Sequence, residues 1–119
     1  MCPFCSPQTP IIQNPLAFAI LDKYPVSPGH MLIITKRHVA EFFATTIEER
    51  QAINDLLEQA KAWLEQECKP DGYNIGVNCG GTAGQTVMHV HIHLIPRYSG
   101  DIENPRGGVR GVIPEKRIY

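Results

Sequence analysis

Three histidines alternate with aliphatic residues in Met88-His89-Val90-His91-Ile92-His93-Leu94-Ile95-Pro96. A period of two is the period of a strand. Val90, Ile92 and Leu94 would then face the core, and His89, His91 and His93 would form a row on the other face. Next-but-one side chains on a strand stand about 6–7 Å apart, the span of a phosphate and its oxygens. Three chemistries suit such a row. The histidines can simply face solvent at a sheet edge. Two imidazoles of a His-x-His can hold a catalytic zinc with an open position for water. A neutral imidazole can also attack phosphorus and form a covalent phosphoramidate, splitting one hard displacement into two easier ones. The chain has five histidines and three fall here, which disfavours the solvent-facing reading. No acidic residue follows the row at ligand spacing, which disfavours a catalytic metal. The preceding Cys79-Gly-Gly-Thr-Ala-Gly84 favours phosphorus chemistry, because glycines let backbone amides approach phosphate oxygens.

A second constellation is Cys2-x-x-Cys5, half of a tetrahedral zinc site. His38 and His89 are candidates for the other two ligands. An unliganded terminus and a redox pair are the alternatives. Cys68 falls on a helical apolar stripe and reads as a small buried hydrophobe.

The elements that must position these groups follow from patterning. Leu16 to Asp22, His30 to Thr35 and Tyr73 to Asn78 read as strands, with Ile11-Ile12 as a short one. Phe18 and Ile20 share a face of the first. Pro28-Gly29 suits a type II turn. Thr46 and Glu49 form a capping box, and Glu48 and Glu49 suit the positive end of a helix dipole. Ile53, Leu56, Leu57, Ala60, Leu64 and Cys68 continue at helical spacing, with Trp63 at the stripe's edge, and the helix ends before Pro70-Asp-Gly72. Beyond Pro96 the chain turns polar and rich in glycine and proline. Several strands beside one helix predict an α+β fold, an antiparallel sheet with a helix packed on it.

The 119 residues suit one compact domain. Hydrophobic residues are 43% and charged ones 19%, with a net charge of −1, so the chain is globular and carries no basic excess for nucleic acid or anionic membranes. No apolar run reaches transmembrane length and no signal peptide is apparent, so a cytoplasmic location is expected.

With these residues in view, the chain resembles the histidine triad (HIT) superfamily. The resemblance rests on His89-Val90-His91-Ile92-His93-Leu94-Ile95, on Gly84-Gln85-Thr86-Val87 upstream, and on Pro25-Val-Ser-Pro-Gly-His30 leading into Met-Leu-Ile-Ile-Thr-Lys-Arg-His38. It covers residues 1–119 and is nearest the fragile-histidine-triad and dinucleoside polyphosphate hydrolase branch. It implies a single HIT domain, with a sheet of about five antiparallel strands and one long helix. It also implies cleavage at the α-phosphate through a nucleotidylated His91. His93 would donate to the α-phosphate oxygens, and Gln85 and Thr86 would contact phosphate and leaving group. Ile20 would lie under the base, Asp22 would face the ribose hydroxyls, and Asn78 and Gly84 would lie near the nucleotide. The Asp22 carboxylate has the acceptors for two hydroxyls, though a turn-residue role is equally open. Bacterial members imply structural zinc on Cys2, Cys5, His38 and His89. Histidine at position 93, where the family's transferases and phosphorylases have glutamine, favours hydrolysis. A nucleoside phosphoramidase and a nucleotide-binding signalling protein are the alternatives. The family also implies a homodimer. Arg97, Arg106 and Arg110 are candidates for distal phosphates.

Overall fold

A computed structural model describes residues 2–119. The elements are β1 (Ile12–Gln13), β2 (Ala17–Leu21), β3 (Met31–Thr35), α1 (Ile47–Glu67), β4 (Gly72–Val77) and β5 (His91–Arg97), with short 3-10 turns between and after them. The five strands form one sheet in the order β1-β2-β3-β5-β4, and every pairing is antiparallel. The expected α+β architecture is thus realised.

The helix begins where the sequence says it should. The Thr46 hydroxyl accepts from Glu49 N–H at 3.0 Å, and the Glu49 carboxylate accepts from Thr46 N–H at 2.9 Å. Ala52, Ile53, Leu56, Ala60 and Leu64 bury one helical stripe. They pack on Ala17, Ala19, Met31, Ile33, Ile92 and Leu94, which form one face of the sheet, and on Val90 just before β5. Each fully buried Leu or Ile on this face contributes about 1.5–3 kcal/mol of transfer free energy. Leu57, Trp63 and Cys68 are half-buried against the same core, and Cys68 is also the C-cap residue of α1.

The other sheet face holds a smaller apolar cluster of Phe18, Leu32 and Ile34, flanked by Phe4 and Ile20. Register builds two cross-strand rows on this face. Phe18 pairs with Ile34 and Ile34 with His91; Ile20 pairs with Leu32, Leu32 with His93 and His93 with Gly76. The two histidines therefore stand at the polar end of rows that start apolar.

The turn before β3 is held by His30 N–H donating to Ser27 O at 3.1 Å, with Gly29 at φ +88°. That is the type II geometry, in which the third residue needs positive φ. Pro96 sits inside a central strand, which prolines avoid. Pairing with β3 has ended at Leu94, however, so on that side Pro96 faces no ladder. Among the described residues no helix is long and apolar enough to cross a membrane.

One element departs from its expected bounds in a way that matters. The histidine strand starts at His91, not at Met88. His89 lies in a bend before it and is completely buried. The three imidazoles are not a single row.

Candidate active site and metal cluster

β5 presents His91 and His93 to a cavity of about 480 Å³ on the second sheet face. That volume falls within the range of small-molecule sites. β2 and the bend after it supply Ile20 and Asp22, β3 supplies Leu32, the end of β4 supplies Asn78, and the glycine loop supplies Gly84 and Thr86. Gly76, opposite His93, has nothing within 4 Å of where a Cβ would stand, so that part of the floor stays open.

Hydrogen bonds fix the state of each imidazole. The Nδ1–H of His91 donates to the His89 carbonyl at 2.9 Å. A carbonyl can only accept, so Nε2 of neutral His91 keeps its lone pair. In His30, Nδ1 accepts from Val26 N–H at 3.0 Å, so the proton of neutral His30 is on Nε2. That Nε2 lies 2.9 Å from Nδ1 of His93 and donates to it. His93 is therefore protonated on Nε2 and offers a donor there. Asp22 Oδ2 lies 3.5 Å from His30 Nε2, and Asp22 Oδ1 accepts from Tyr24 N–H at 2.9 Å. Burial is the main cause that lowers the pKa of both His30 and His93; Asp22 opposes it in each, while the neighbouring His91 and His30 lower His93 further.

The bend places His89 elsewhere. Its Nε2–H donates to Thr35 O at 2.7 Å, which turns the Nδ1 lone pair toward the N-terminal cysteines. Cys2 Sγ stands 3.3 Å and Cys5 Sγ 3.5 Å from that nitrogen, and Cys5 Sγ stands 3.1 Å from Nδ1 of His38. The ligand atoms of Cys2, Cys5, His38 and His89 all lie within 4.8 Å of one another. Bond lengths of about 2.3 Å to sulfur and 2.05 Å to nitrogen in a tetrahedron put sulfur and nitrogen about 3.5 Å apart. The donor set fits a divalent metal in kind, number and spacing. Thr35 O is placed as the outer partner that would hold His89 in the tautomer a metal ligand needs.

A HIT domain model matches residues 5–100. The chain belongs to the HIT family. An uncharacterized HIT-like protein of Mycoplasma genitalium is 42% identical over 86 residues, covering 72% of this chain and 61% of that protein. A bis(5'-adenosyl)-triphosphatase of Dictyostelium discoideum is 39% identical over 89 residues, 75% of this chain and 60% of its own. An AP-4-A phosphorylase of Mycobacterium tuberculosis is 32% identical over 92 residues, 76% of this chain and 47% of its own. The chain thus spans about half to three fifths of the length of these curated relatives. Among solved structures, a zinc-bound histidine triad family protein from Mycobacterium smegmatis superposes with a TM-score of 0.77 at 31% identity, covering 87% of this chain and 79% of that one.

In this HIT protein the cavity gathers Ile20, Asp22, Asn78, Gly84, Thr86, His91 and His93, all of them sequence candidates. Gln85 is the exception. Its side chain is buried and donates to Ala40 O at 2.6 Å and Val87 O at 3.0 Å, while its carbonyl accepts from Gly80 N–H at 2.9 Å. It braces the glycine loop and does not line the cavity. The arginines of the tail also lie elsewhere. Arg97 binds Asp101 and Asn74, and Arg106 and Arg110 stack on Tyr119. Two contributors were missed. His30 shares a motif with Gly29, but only its bond to His93 reveals a role. Phe4 lies between the cysteines, and only the fold brings its ring centroid to 5.0 Å from that of His91.

Proposed function

We propose that this HIT protein is a nucleotidyl hydrolase cleaving dinucleoside polyphosphates or related nucleotide conjugates at the α-phosphate. The observation that carries the proposal is the His91 geometry: Nδ1–H is committed to the His89 carbonyl, so a free Nε2 lone pair stands in a nucleotide-sized cavity. Nε2 attacks the α-phosphorus. The N–P bond forms as the bond to the leaving oxygen breaks. The Nδ1–H···O bond persists and steadies the positive charge of the nucleotidyl-imidazole. His93 Nε2–H donates to the non-bridging oxygens as negative charge gathers on them. Water then attacks phosphorus, the N–P bond breaks with its electron pair returning to Nε2, the water's proton passes to solvent, and His91 leaves neutral. Ile20 and Leu32 offer an apolar surface for the base, and Asp22 offers acceptors for the ribose hydroxyls. Thr86, Gly84 and Asn78 stand beside the phosphates.

A phosphorylase would share the first displacement and differ only in the acceptor, phosphate in place of water. Histidine at position 93 favours water, and the AP-4-A phosphorylase relative makes the comparison worth running. Brief incubation with diadenosine polyphosphates, with and without phosphate, followed by intact mass and product analysis, tests both. An added nucleoside monophosphate on wild type and none on His91→Ala is expected. Full turnover by His91→Ala sinks the assignment.

The metal we assign to Cys2, Cys5, His38 and His89 is zinc, in a closed site with no open coordination position. Its contribution is structural. One zinc per wild-type chain and none in Cys5→Ser, by elemental analysis, is the expected result. We assign a homodimer from family membership and from the half-exposed Ile75 on the unpaired edge of β4.

A further inference from the structure

The metal cluster and the nucleotide cavity share one turn. Cys2-Pro3-Phe4-Cys5 is closed by Cys5 N–H donating to Cys2 O at 3.2 Å, with proline at the second position, where its fixed φ suits the turn. The two sulfurs face His38 and His89. The two residues between them, Pro3 and Phe4, line the nucleotide cavity. The Phe4 ring packs on Phe18, Leu32 and Ile34 and meets His91 edge-on. Local bonds tie this segment only to itself: Gln8 donates to Pro3 O at 2.8 Å and to Ser6 O at 3.1 Å. Among the described residues, the hydrogen bonds that join residues 2–8 to the rest of the chain run only through the two sulfurs, to His38 and His89.

A cysteine–imidazole contact is a weak tie, whereas a shared metal is a strong one. Ordering a segment held by so few ties costs conformational entropy, and whichever ligand binds second meets the segment already ordered. We infer that metal binding at Cys2, Cys5, His38 and His89 and nucleotide binding in the adjoining cavity are thermodynamically linked through Pro3 and Phe4. The metal holds one wall of the nucleotide site in place. This inference rests on the nucleotide reading of the cavity.

Linkage is reciprocal, which gives two independent readouts. Calorimetry with AMP, GMP, CMP and UMP is run on zinc-loaded and chelator-stripped protein. Zinc affinity is measured by competition with a chromophoric chelator, with and without the nucleotide that bound. Stripping is expected to weaken nucleotide binding at least about fivefold, the lower end of ordinary site-to-site coupling. The nucleotide should tighten zinc by the same factor. In Phe4→Ala, which keeps all four metal ligands, that factor should fall toward one while each ligand still binds. Equal nucleotide affinity with and without zinc overturns the linkage but leaves the function standing. If no nucleotide binds either form, both fall. Coupling that survives intact in Phe4→Ala would assign it to global folding and refute the role of Phe4. The wild-type comparison decides even if that variant fails to fold.

Discussion

His30 is the residue whose removal most sharply tests how this site is built. It is buried, its Nε2–H is directed to His93 with Asp22 Oδ2 farther off at 3.5 Å, and it sets which nitrogen of His93 carries the proton. His30→Ala deletes the donor at 2.9 Å and leaves Nδ1 of His93 without its partner. The neutral hydrogen bond is worth about 1 kcal/mol net, roughly fivefold in rate if all of it serves to orient His93. A ring freed to turn forfeits its own donor as well, and losing a donor aimed at developing charge costs about 10²–10³ in kcat. The loss in kcat should therefore lie between about fivefold and 10²-fold, with KM little changed. Removing His93 itself should cost at least as much. The assay is a double-mutant cycle on hydrolysis rate. His30→Ala/His93→Ala should be little slower than His93→Ala alone, because the short hydrogen bond of His30 Nε2 goes to His93 at 2.9 Å and Asp22 stands farther off at 3.5 Å. Added imidazole, seated in the vacated space, should restore part of the rate of His30→Ala and none of that of His93→Ala. Additive losses in the cycle would refute the reasoning and give His30 a separate task. Urea unfolding of each variant checks that the protein compared is folded.

Gly29→Ala should destabilise by about 2–4 kcal/mol in urea unfolding, since the φ of +88° strains any L side chain and the new Cβ would stand 2.7 Å from a methyl of Leu64; an unchanged midpoint would mean the turn relaxes freely. The zinc-loaded protein should lose stability as pH falls below about 6.5, because burial holds His30 and His93 below the ordinary imidazole value and the unfolded chain takes up those protons first. His30→Asn should show a shallower fall between pH 7.5 and 5.5 in thermal unfolding; an identical slope would contradict the linkage. Arg37→Ala should destabilise by about 1–3 kcal/mol at neutral pH, because it leaves the buried Glu49 carboxylate without its guanidinium at 2.7 Å. The same guanidinium, chiefly, holds Glu49 below the ordinary carboxylate value. That stability is present above an unfolded pKa near 4.5 and lost as pH falls through the folded value, so the variant's acid limb should be flatter.

Much of this fold was legible because its signals are local. Thr46 and Glu49 sit three residues apart and cap one another whatever surrounds them. Pro28-Gly29 carries its turn in its own dihedral preferences. The period-two pattern of Ile92 and Leu94 assigns them to the core face. These are short-range facts of backbone and side-chain chemistry, and the structure keeps all of them.

The sequence alone determined which residue types could do chemistry: imidazoles able to act as nucleophile or donor beside a glycine loop, and two thiols with two imidazoles, ligand types that suit zinc. The residue pattern by itself left the imidazoles equivalent; a division of tasks among them came only as what the family resemblance implied. Alternation of residue types cannot reveal where strand pairing begins. That is decided by partners far away in the chain, Ile34 opposite His91 and Val77 opposite Ile92. Because pairing begins at His91, His89 leaves the row and turns to the cysteines. His30 gains its partner only when β3 lies beside β5. Gln85, read as a phosphate contact, instead has every polar atom taken by backbone of its own loop and of Ala40. Burying an amide demands such partners, and only the tertiary structure decides which ones are in reach.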